Sequence, residues 1–191
     1  MKHSIVAALV WGQVSLIGGL AVCFALVPSY LHSEGGVSNY GTLRKTVVFY
    51  TLAFGLAAFF TGLAAYRQRR YQKALTYNLY ILTALFMFVL LSTYPYKLND
   101  FLGYVHELAD IAYFVFVLGF SGWLCLVVAR SWWHILWLLA LVIGAGISLI
   151  TLLGLVHLLF IGQLVTALAF AVLLISCVSR LMTSTKTLLE N

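Results

Sequence analysis

The amino-acid sequence predicts an all-α polytopic membrane protein, a bundle of six transmembrane helices with both termini in the cytoplasm. Three observations support this fold class: the apolar composition, the length of the apolar runs and the uneven distribution of lysine and arginine. Of the 191 residues, 63% are hydrophobic and 8% are charged, whereas a soluble domain contains about 45–50% apolar and about 25% charged residues. The composition therefore excludes a water-soluble single domain.

Six apolar runs follow one another along the chain, and each reaches the roughly 20 residues that a membrane-spanning helix needs. The runs do not alternate polar with apolar residues, which excludes the strands of a membrane β-barrel. They form a single domain, residues 1–182, followed by a short polar tail, residues 183–191. The predicted spans are residues 4–27, 45–66, 74–93, 102–129, 132–153 and 155–178.

The last two runs form one unbroken apolar stretch from Ile135 to Ile175. As a single helix this stretch would be roughly 60 Å long at about 1.5 Å per residue, which is about twice the thickness of the hydrocarbon layer. The stretch must therefore fold back once. Gly154 is the natural turning point, and it predicts a tight helical hairpin.

The lysine and arginine residues predict the orientation of these spans, because basic residues concentrate in cytoplasmic loops. With six spans, eight basic residues fall on one side and three on the other. This places both termini and the Arg67–Lys73 loop in the cytoplasm of a bacterial inner (plasma) membrane, with loops 28–44 and 94–101 outside. Since the basic residues flank apolar runs, the net charge of +6 indicates membrane lipids rather than nucleic acid as partners.

The fourth run carries two acidic residues inside the membrane, Glu107 and Asp110. Measured from Leu102 they lie roughly 8 Å and 12 Å along the helix, where a charge costs about 2.5–3.5 kcal/mol on insertion scales. Such residues usually face a bundle interior or a water-filled cavity, so we expect a polar pocket that opens on the outer side. Its helix face is predicted to contain His106, Glu107, Asp110, Tyr113, Val117 and Ser121, opposite Leu108, Ile111, Val115 and Leu118.

Polar residues from other segments are expected at the same level of the membrane, where they can meet this face. Two come from the first outer loop, three from the start of the second run and two from the sixth run, of which the first lies one turn into that run, just after Gly154. They are His32 and Ser38, then Arg44, Lys45 and Tyr50, then His157, and finally Gln163.

One interpretation of this cluster is a catalytic zinc site. Imidazole and carboxylate ligands suit zinc, which keeps one water position open at a catalytic site. In this interpretation Glu107 serves as the general base, and Ser38 positions or stabilises the reacting group. The zinc ligands would be His106, Asp110, His157 and His32.

Other interpretations stay open beside it. In one, the pocket holds no metal and binds a lipid-like or anionic small molecule, with Arg44, Lys45 and Tyr50 as its contacts. In another, the network only fixes helix packing or binds a partner protein, with no chemistry. In a third, His106 and His157 ligate haem. A transporter is disfavoured, because it would need a polar path to the cytoplasmic side and the spans below Asp110 hold only scattered polar residues.

Three short motifs resemble a known group of membrane proteins. They are the outer-loop segment Gly35–Gly41 (GGVSNYG), the dipeptide Tyr94-Pro95 and the helix start Val105-His106. This pattern resembles the prokaryotic domain-of-unknown-function family 998, and more distantly the DRAM/Sfk-type six-helix membrane proteins, over the first two thirds of the chain. These families look related to the CREST group of membrane hydrolases, which includes alkaline ceramidases and GPI-lipid remodelling proteins.

The resemblance implies a set of site residues, because CREST members carry a serine, an aspartate and several histidines around a metal. It points to Ser38, His106 and Asp110, with His157 as a looser match. Together these observations predict an integral membrane protein whose outward-facing pocket binds a lipid or an amphipathic small molecule. In the metal-dependent interpretation the protein also hydrolyses that molecule.

Overall fold

The chain forms a bundle of six membrane-spanning α-helices, as the sequence predicts. The computed structural model describes residues 2–29, 36–128, 131–155 and 157–187, and this part of the chain contains no β-strand. All six helices are long and apolar enough to cross a membrane, so the protein is an integral membrane protein. The helices are α1 (Lys2–Leu26), α2 (Val47–Gln68), α3 (Lys73–Thr93), α4 (Asp100–Trp123), α5 (Trp132–Leu152) and α6 (Leu159–Thr187).

Polar residues fix the ends of several helices. Inside a bilayer each backbone N–H and C=O must be satisfied within the protein, which an α-helix achieves along its own length. At the start of α4 the Asn99 side chain accepts a hydrogen bond from the Leu102 amide at 2.9 Å. At the end of α2, Arg67 Nη1 donates to the Ser4 carbonyl oxygen at 2.9 Å and so ties α2 to the start of α1.

The helices enclose a centre to which α5 does not contribute. Helices that follow each other in sequence pack side by side along α1 to α4, and α1 also packs on α6 to close the bundle. α5 packs almost entirely on α6, and α4 packs mainly on α3 while it contacts α6 sparsely. The boundary between α4 and α6 is therefore the least tightly packed side of the bundle.

α5 and α6 approach each other closely at two glycines. A Cβ atom on Gly144 would lie 2.8 Å from the Gly162 carbonyl oxygen, and one on Gly162 would lie 2.7 Å from the Gly144 carbonyl oxygen. Small residues allow such close contact between helix backbones in a membrane. The hydroxyl groups beside them, on Ser148 and Thr166, donate to the Gly144 and Gly162 carbonyls at 3.1 Å and 2.8 Å. The close contact therefore leaves neither hydroxyl unsatisfied.

The connection between α5 and α6 is longer than the tight hairpin that the sequence predicts. α5 ends at Leu152 and α6 begins at Leu159. Gly154 makes the turn, as expected, with φ of 75°, and the Leu158 amide donates to Thr151 Oγ1 at 3.3 Å. His157 therefore lies in the connection rather than one turn inside the sixth helix. At its other end α6 continues to Thr187, through half of the predicted polar tail.

A short 3₁₀ helix, Val37–Gly41, folds back into the bundle between α1 and α2 and contacts α2, α3 and α6. All five of its residues are buried. Gly36 precedes it with φ of 55° and ψ of −149°, a conformation that is essentially confined to glycine. Gly41 ends it where a Cβ atom would lie 2.5 Å from Thr93 Cγ2. We call Val37–Gly41 the cap, and the end of the bundle that holds it the cap end.

Candidate functional site

A cavity lies inside the bundle beneath the cap, and we call it the central cavity. It contains about 480 Å³ of unfilled space, its opening included. One water molecule takes up about 30 Å³ in the liquid, so the cavity has room for several. The walls are mostly apolar and come from the cap and from every helix except α5. They are formed by Leu16, Leu20, Val37, Ser38, Phe54, Val89, Asp110, Tyr113, Phe114, Gln163, Thr166 and Ala167.

Asp110 is the one charged side chain among the described residues that line the central cavity. It lies ten residues after the first residue of α4, hence about 15 Å along that helix. This position is well inside the 28-residue span Asp100–Val127. Its side chain is 29% exposed. A carboxyl group at this depth therefore meets unfilled space instead of a close-packed contact.

One oxygen of the Asp110 carboxyl group has two protein neighbours. Ser38 Oγ of the cap donates to Asp110 Oδ2 at 3.4 Å. His106 Nε2, one helical turn earlier on α4, lies 3.5 Å from the same oxygen. The residues that the structure describes form no hydrogen bond to Asp110 Oδ1. One carboxyl oxygen is therefore available to a molecule in the cavity.

His106 orients Asp110 from behind and does not line the central cavity itself. Its side chain is buried, with 6% exposed. Its Nδ1 atom lies 3.0 Å from Ser92 Oγ, and its ring stacks on Tyr96 with a centroid distance of 4.7 Å. Both ring nitrogens thus face protein groups, Nδ1 on Ser92 and Nε2 on Asp110.

Two further hydrogen bonds attach the cap to the bundle around Asp110. Gln163 Oε1 of α6 accepts from the Val37 amide at 2.7 Å. The Tyr96 hydroxyl, in the connection between α3 and α4, donates to Asn39 Oδ1 at 2.8 Å. Since Ser38 donates to α4, the cap is held from three directions. The cap therefore forms a fixed wall of the cavity.

The end of the cap is fixed by Tyr40, which is fully buried. The Tyr40 hydroxyl donates to the Val27 carbonyl oxygen at 3.3 Å, and its own carbonyl accepts from Thr46 Oγ1 at 2.6 Å. Burial raises the pKa of the Tyr40 phenol above its ordinary value. The phenol therefore stays neutral and acts as a hydrogen-bond donor.

Glu107 is exposed and does not share the buried face of α4, contrary to the prediction. Successive helix residues are separated by about 100°, so Glu107 points about 80° away from the direction midway between His106 and Asp110. The rest of the predicted face is largely as expected. His106, Val117 and Ser121 are buried, while Leu108, Ile111 and Val115 are exposed.

Of the three predicted substrate contacts, Arg44 and Lys45 lie away from the central cavity, while Tyr50 is buried beside Ser38 and Asp110 without lining it. Arg44 and Lys45 are exposed and line a separate groove at the cap end, beside the end of α1. Tyr50 is fully buried, and its hydroxyl pairs with Thr93 Oγ1 at 3.0 Å. The central cavity is therefore not lined by Arg44, Lys45 or Tyr50, and among the described residues its charged wall is acidic.

Within the described residues, the predicted zinc ligands do not lie together. In that part of the chain no three His, Cys, Asp or Glu side chains are placed to share a metal ion. His106 and Asp110 are neighbours, but His157 is exposed in the connection before α6. His32 lies outside the described residues. What the structure assembles is a histidine–carboxyl pair.

Two serines border this pair, and neither is arranged as the nucleophile of a hydrolase. A serine nucleophile needs an accessible hydroxyl group paired with a histidine nitrogen. Ser38 lies on the cavity wall but contacts the Asp110 carboxyl group instead of an imidazole. Ser92 contacts His106, but it is buried and does not line the central cavity. Neither serine therefore combines a place on the cavity wall with a contact to the imidazole.

Comparisons of the chain with protein-family models, with curated proteins and with solved structures found no match. The function must therefore be inferred from the geometry of the site. The resemblance to family 998 and to the CREST hydrolases stays a prediction.

Sequence reasoning did not find two partners of His106, namely Ser92 and Tyr96. Both lie near the connection between α3 and α4, so the antiparallel packing of these helices brings them to His106. An ordinary serine and an interfacial tyrosine carry no signal of this role in the sequence. Gln163 was expected near the depth of Asp110, but its bond to the cap depends on which face of α6 points inward.

We expect Ser92→Ala to destabilise the protein by about 1 kcal/mol, because it leaves His106 Nδ1 buried without its partner. The matched control is Ser121→Ala on α4. Ser121 is fully buried, and its hydroxyl group has no partner among the described residues, so its removal should be neutral or stabilising. Thermal unfolding in detergent measures both variants. Equal losses in the two variants would show that the Ser92–His106 contact contributes nothing.

Proposed function

We propose that this protein binds an amphipathic small molecule, a lipid or a lipid-like compound, in the central cavity. The observation that carries the proposal is Asp110, a partly exposed carboxyl group about 15 Å along a membrane-spanning helix, in a cavity whose walls are otherwise mostly apolar. Ligand sites commonly combine apolar walls with a few convergent polar groups. An acidic group inside a membrane-spanning helix is energetically costly to insert, so its presence there indicates a functional site.

The polar part of the ligand is expected between Asp110 and Gln163. Asp110 Oδ1 can accept a hydrogen bond. Gln163 uses its Oε1 atom to hold the cap, and among the described residues its amide nitrogen has no hydrogen-bond partner. The apolar part of the ligand then packs against the remaining walls, such as Leu20, Phe54 and Phe114.

The ligand is expected to enter from the bilayer between α4 and α6. The cap covers the cavity at one end of the bundle, and three hydrogen bonds hold it there. The α4–α6 boundary is sparsely packed by comparison, and both helices contribute cavity walls, Phe114 from α4 and Ala167 from α6. A molecule dissolved in the membrane meets this boundary directly.

We place the cap end on the non-cytoplasmic side of a plasma membrane. This rests on the distribution of lysine and arginine along the sequence, in which Arg44, Lys45 and Lys97 belong to the loops of that end and the other eight to the segments of the opposite side. The ligand would then come from the outer leaflet.

A photoreactive probe tests the binding proposal in the full-length protein in neutral-lipid nanodiscs. The probe is an eight-carbon alcohol with a diazirine beside the hydroxyl group, and mass spectrometry locates its crosslinks. We expect crosslinks on cavity-lining segments of α4 and α6, and their loss in Ala167→Phe, which fills the cavity. The matched control is Leu168→Phe, the next residue on α6, because Leu168 is exposed and does not line the cavity.

Crosslinks confined to lipid-facing residues, or unchanged in Ala167→Phe, would contradict binding in the cavity. Such a result would support the second candidate function, a network that only fixes the structure. That candidate is favoured by one observation, the continuous chain of contacts from Ser38 through Asp110 and His106 to Ser92. If Ala167→Phe does not fold, competition between the probe and excess unlabelled octan-1-ol in the wild-type protein decides whether the crosslinks reflect a saturable site.

A further inference from the structure

We infer that the central cavity selects amphipathic molecules with a cationic, hydrogen-bond-donating head group, such as a primary amine, over molecules with an anionic one. This inference rests on the proposed function and specifies its ligand class. It differs from the expectation drawn from the sequence, in which Arg44 and Lys45 recognise an anionic head group in the same pocket.

The charge of the cavity wall carries the inference. Among the described residues, Asp110 lines the cavity and no lysine or arginine does. Arg44 and Lys45 face a separate groove at the cap end. An anionic head group in the central cavity would therefore meet a carboxyl group with no cation beside it, which is costly in a low-dielectric interior.

Hydrogen bonding at Asp110 points to the same head group, although the Gln163 amide nitrogen, itself a donor, gains no partner from an ammonium group. Asp110 Oδ2 is occupied by Ser38 and faces His106, whereas Oδ1 accepts no hydrogen bond from the described residues. A ligand that donates to Oδ1 satisfies this oxygen, and a charged donor forms a shorter and stronger hydrogen bond than a neutral one. A carboxylate ligand has no proton to donate to Oδ1.

The other titratable groups near Asp110 do not reverse this preference. His106 contacts Oδ2 from the far side, and its Nδ1 atom is held by Ser92. Tyr113 lines the cavity with a phenol, which is a neutral group that can accept a hydrogen bond from an amine. Glu107 is exposed and adds negative charge on the same end of α4.

Three eight-carbon molecules that differ only in their head group test the inference: octylamine, octan-1-ol and octanoate. Each competes with the photoreactive alcohol for crosslinking to the cavity, with concentrations corrected for partitioning into neutral-lipid nanodiscs. In the wild-type protein at pH 7 we expect octylamine to compete at about tenfold lower concentration than octan-1-ol. Octanoate should be the weakest competitor.

Two variants assign the preference to Asp110. Asp110→Asn is expected to reduce the preference for octylamine over octan-1-ol to about onefold, because the asparagine carries no charge. Glu107→Gln removes the same charge one turn away on the exposed face of α4 and should keep the preference. If Asp110→Asn does not fold, an eight-carbon amine with its diazirine beside the amino group is crosslinked to the wild-type protein instead, and its crosslinks should lie on α4 next to Asp110.

The outcomes separate the inference from the proposed function. If the photoreactive alcohol does not label the cavity, the proposed function fails and the inference fails with it. If the alcohol labels the cavity but octanoate or octan-1-ol competes as well as octylamine, only the inference is overturned. A preference for octylamine that survives in Asp110→Asn, or amine crosslinks that lie only on the outer surface, would also overturn it.

Discussion

Gly36→Ala is expected to release the cap and to cost about 2–5 kcal/mol of stability. The backbone of Gly36, with φ of 55° and ψ of −149°, is strained for any residue with a Cβ atom, at about 1–3 kcal/mol. The new methyl group would also collide with Gln163 Oε1, which accepts a hydrogen bond from the Val37 amide. Losing this partly buried hydrogen bond adds about 1–2 kcal/mol.

The matched control is Gly154→Ala in the connection between α5 and α6. Gly154 also has a positive φ, 75°, but a Cβ atom there would meet nothing within 4 Å. It should therefore show only the backbone cost, about 1–2 kcal/mol. Thermal unfolding measures both losses, and hydrogen–deuterium exchange reports the cap directly. A Gly36→Ala protein as stable as Gly154→Ala, with a protected Val37 amide, would refute the role of this contact.

Gly144→Ala is expected to separate α5 from α6 and to destabilise the protein by up to about 3 kcal/mol, the upper end of the usual cost of overpacking. The added Cβ atom would lie 2.8 Å from both the Gly162 carbonyl oxygen and the Thr166 amide nitrogen. Both are backbone atoms of α6 and cannot rotate away as a side chain could, so α5 must move away from α6 to make room. Close backbone contact is a main source of helix association in lipid, and α5 has little other contact with the bundle.

Gly146→Ala on the same helix provides the control, since a Cβ atom at Gly146 meets nothing within 4 Å. It should be neutral or stabilising by up to about 1 kcal/mol, because alanine favours the helix. Equilibrium unfolding in mixed micelles gives the difference between the two variants. Cavity crosslinking should persist in the folded fraction of Gly144→Ala, because α5 does not line the cavity. Equal stability of the two variants would exclude a tight α5–α6 contact.

The two predicted acidic site residues show how far the sequence carries a functional argument. The depth of Glu107 and Asp110 in the membrane follows from their distance along one helix, and this gave both the same expected role. Their directions differ by about 60°, because three residues advance around a helix by about 300°. Asp110 lines the cavity while Glu107 is exposed. The depth could be predicted from spacing, but the inward direction depended on where α3 and the cap pack.

The prediction for the basic residues Arg44 and Lys45 had the same limit: the sequence indicated their level in the membrane but not the side of the bundle on which they lie. Arg44 and Lys45 lie at the cap end, where the sequence placed them, but they line a groove beside α1 and not the wall around Asp110. Ser92, Tyr96 and Gln163 reach the site from other segments. Residues at one level of a bundle can lie on opposite sides of it. The sequence of a helix predicts the level of its residues, but it does not predict which other helices pack against them.

By itself the sequence determined that this chain spans a membrane six times and that an acid lies deep in the fourth span. These properties follow from the lengths of apolar runs and from the cost of charge in hydrocarbon, which depend on position along the chain. The tertiary structure decided that Asp110 borders a cavity, that His106 holds it from behind and that the basic residues lie elsewhere. These properties depend on the rotation of each helix about its axis and on the angle at which its neighbours pack, and only contacts between distant segments fix those quantities.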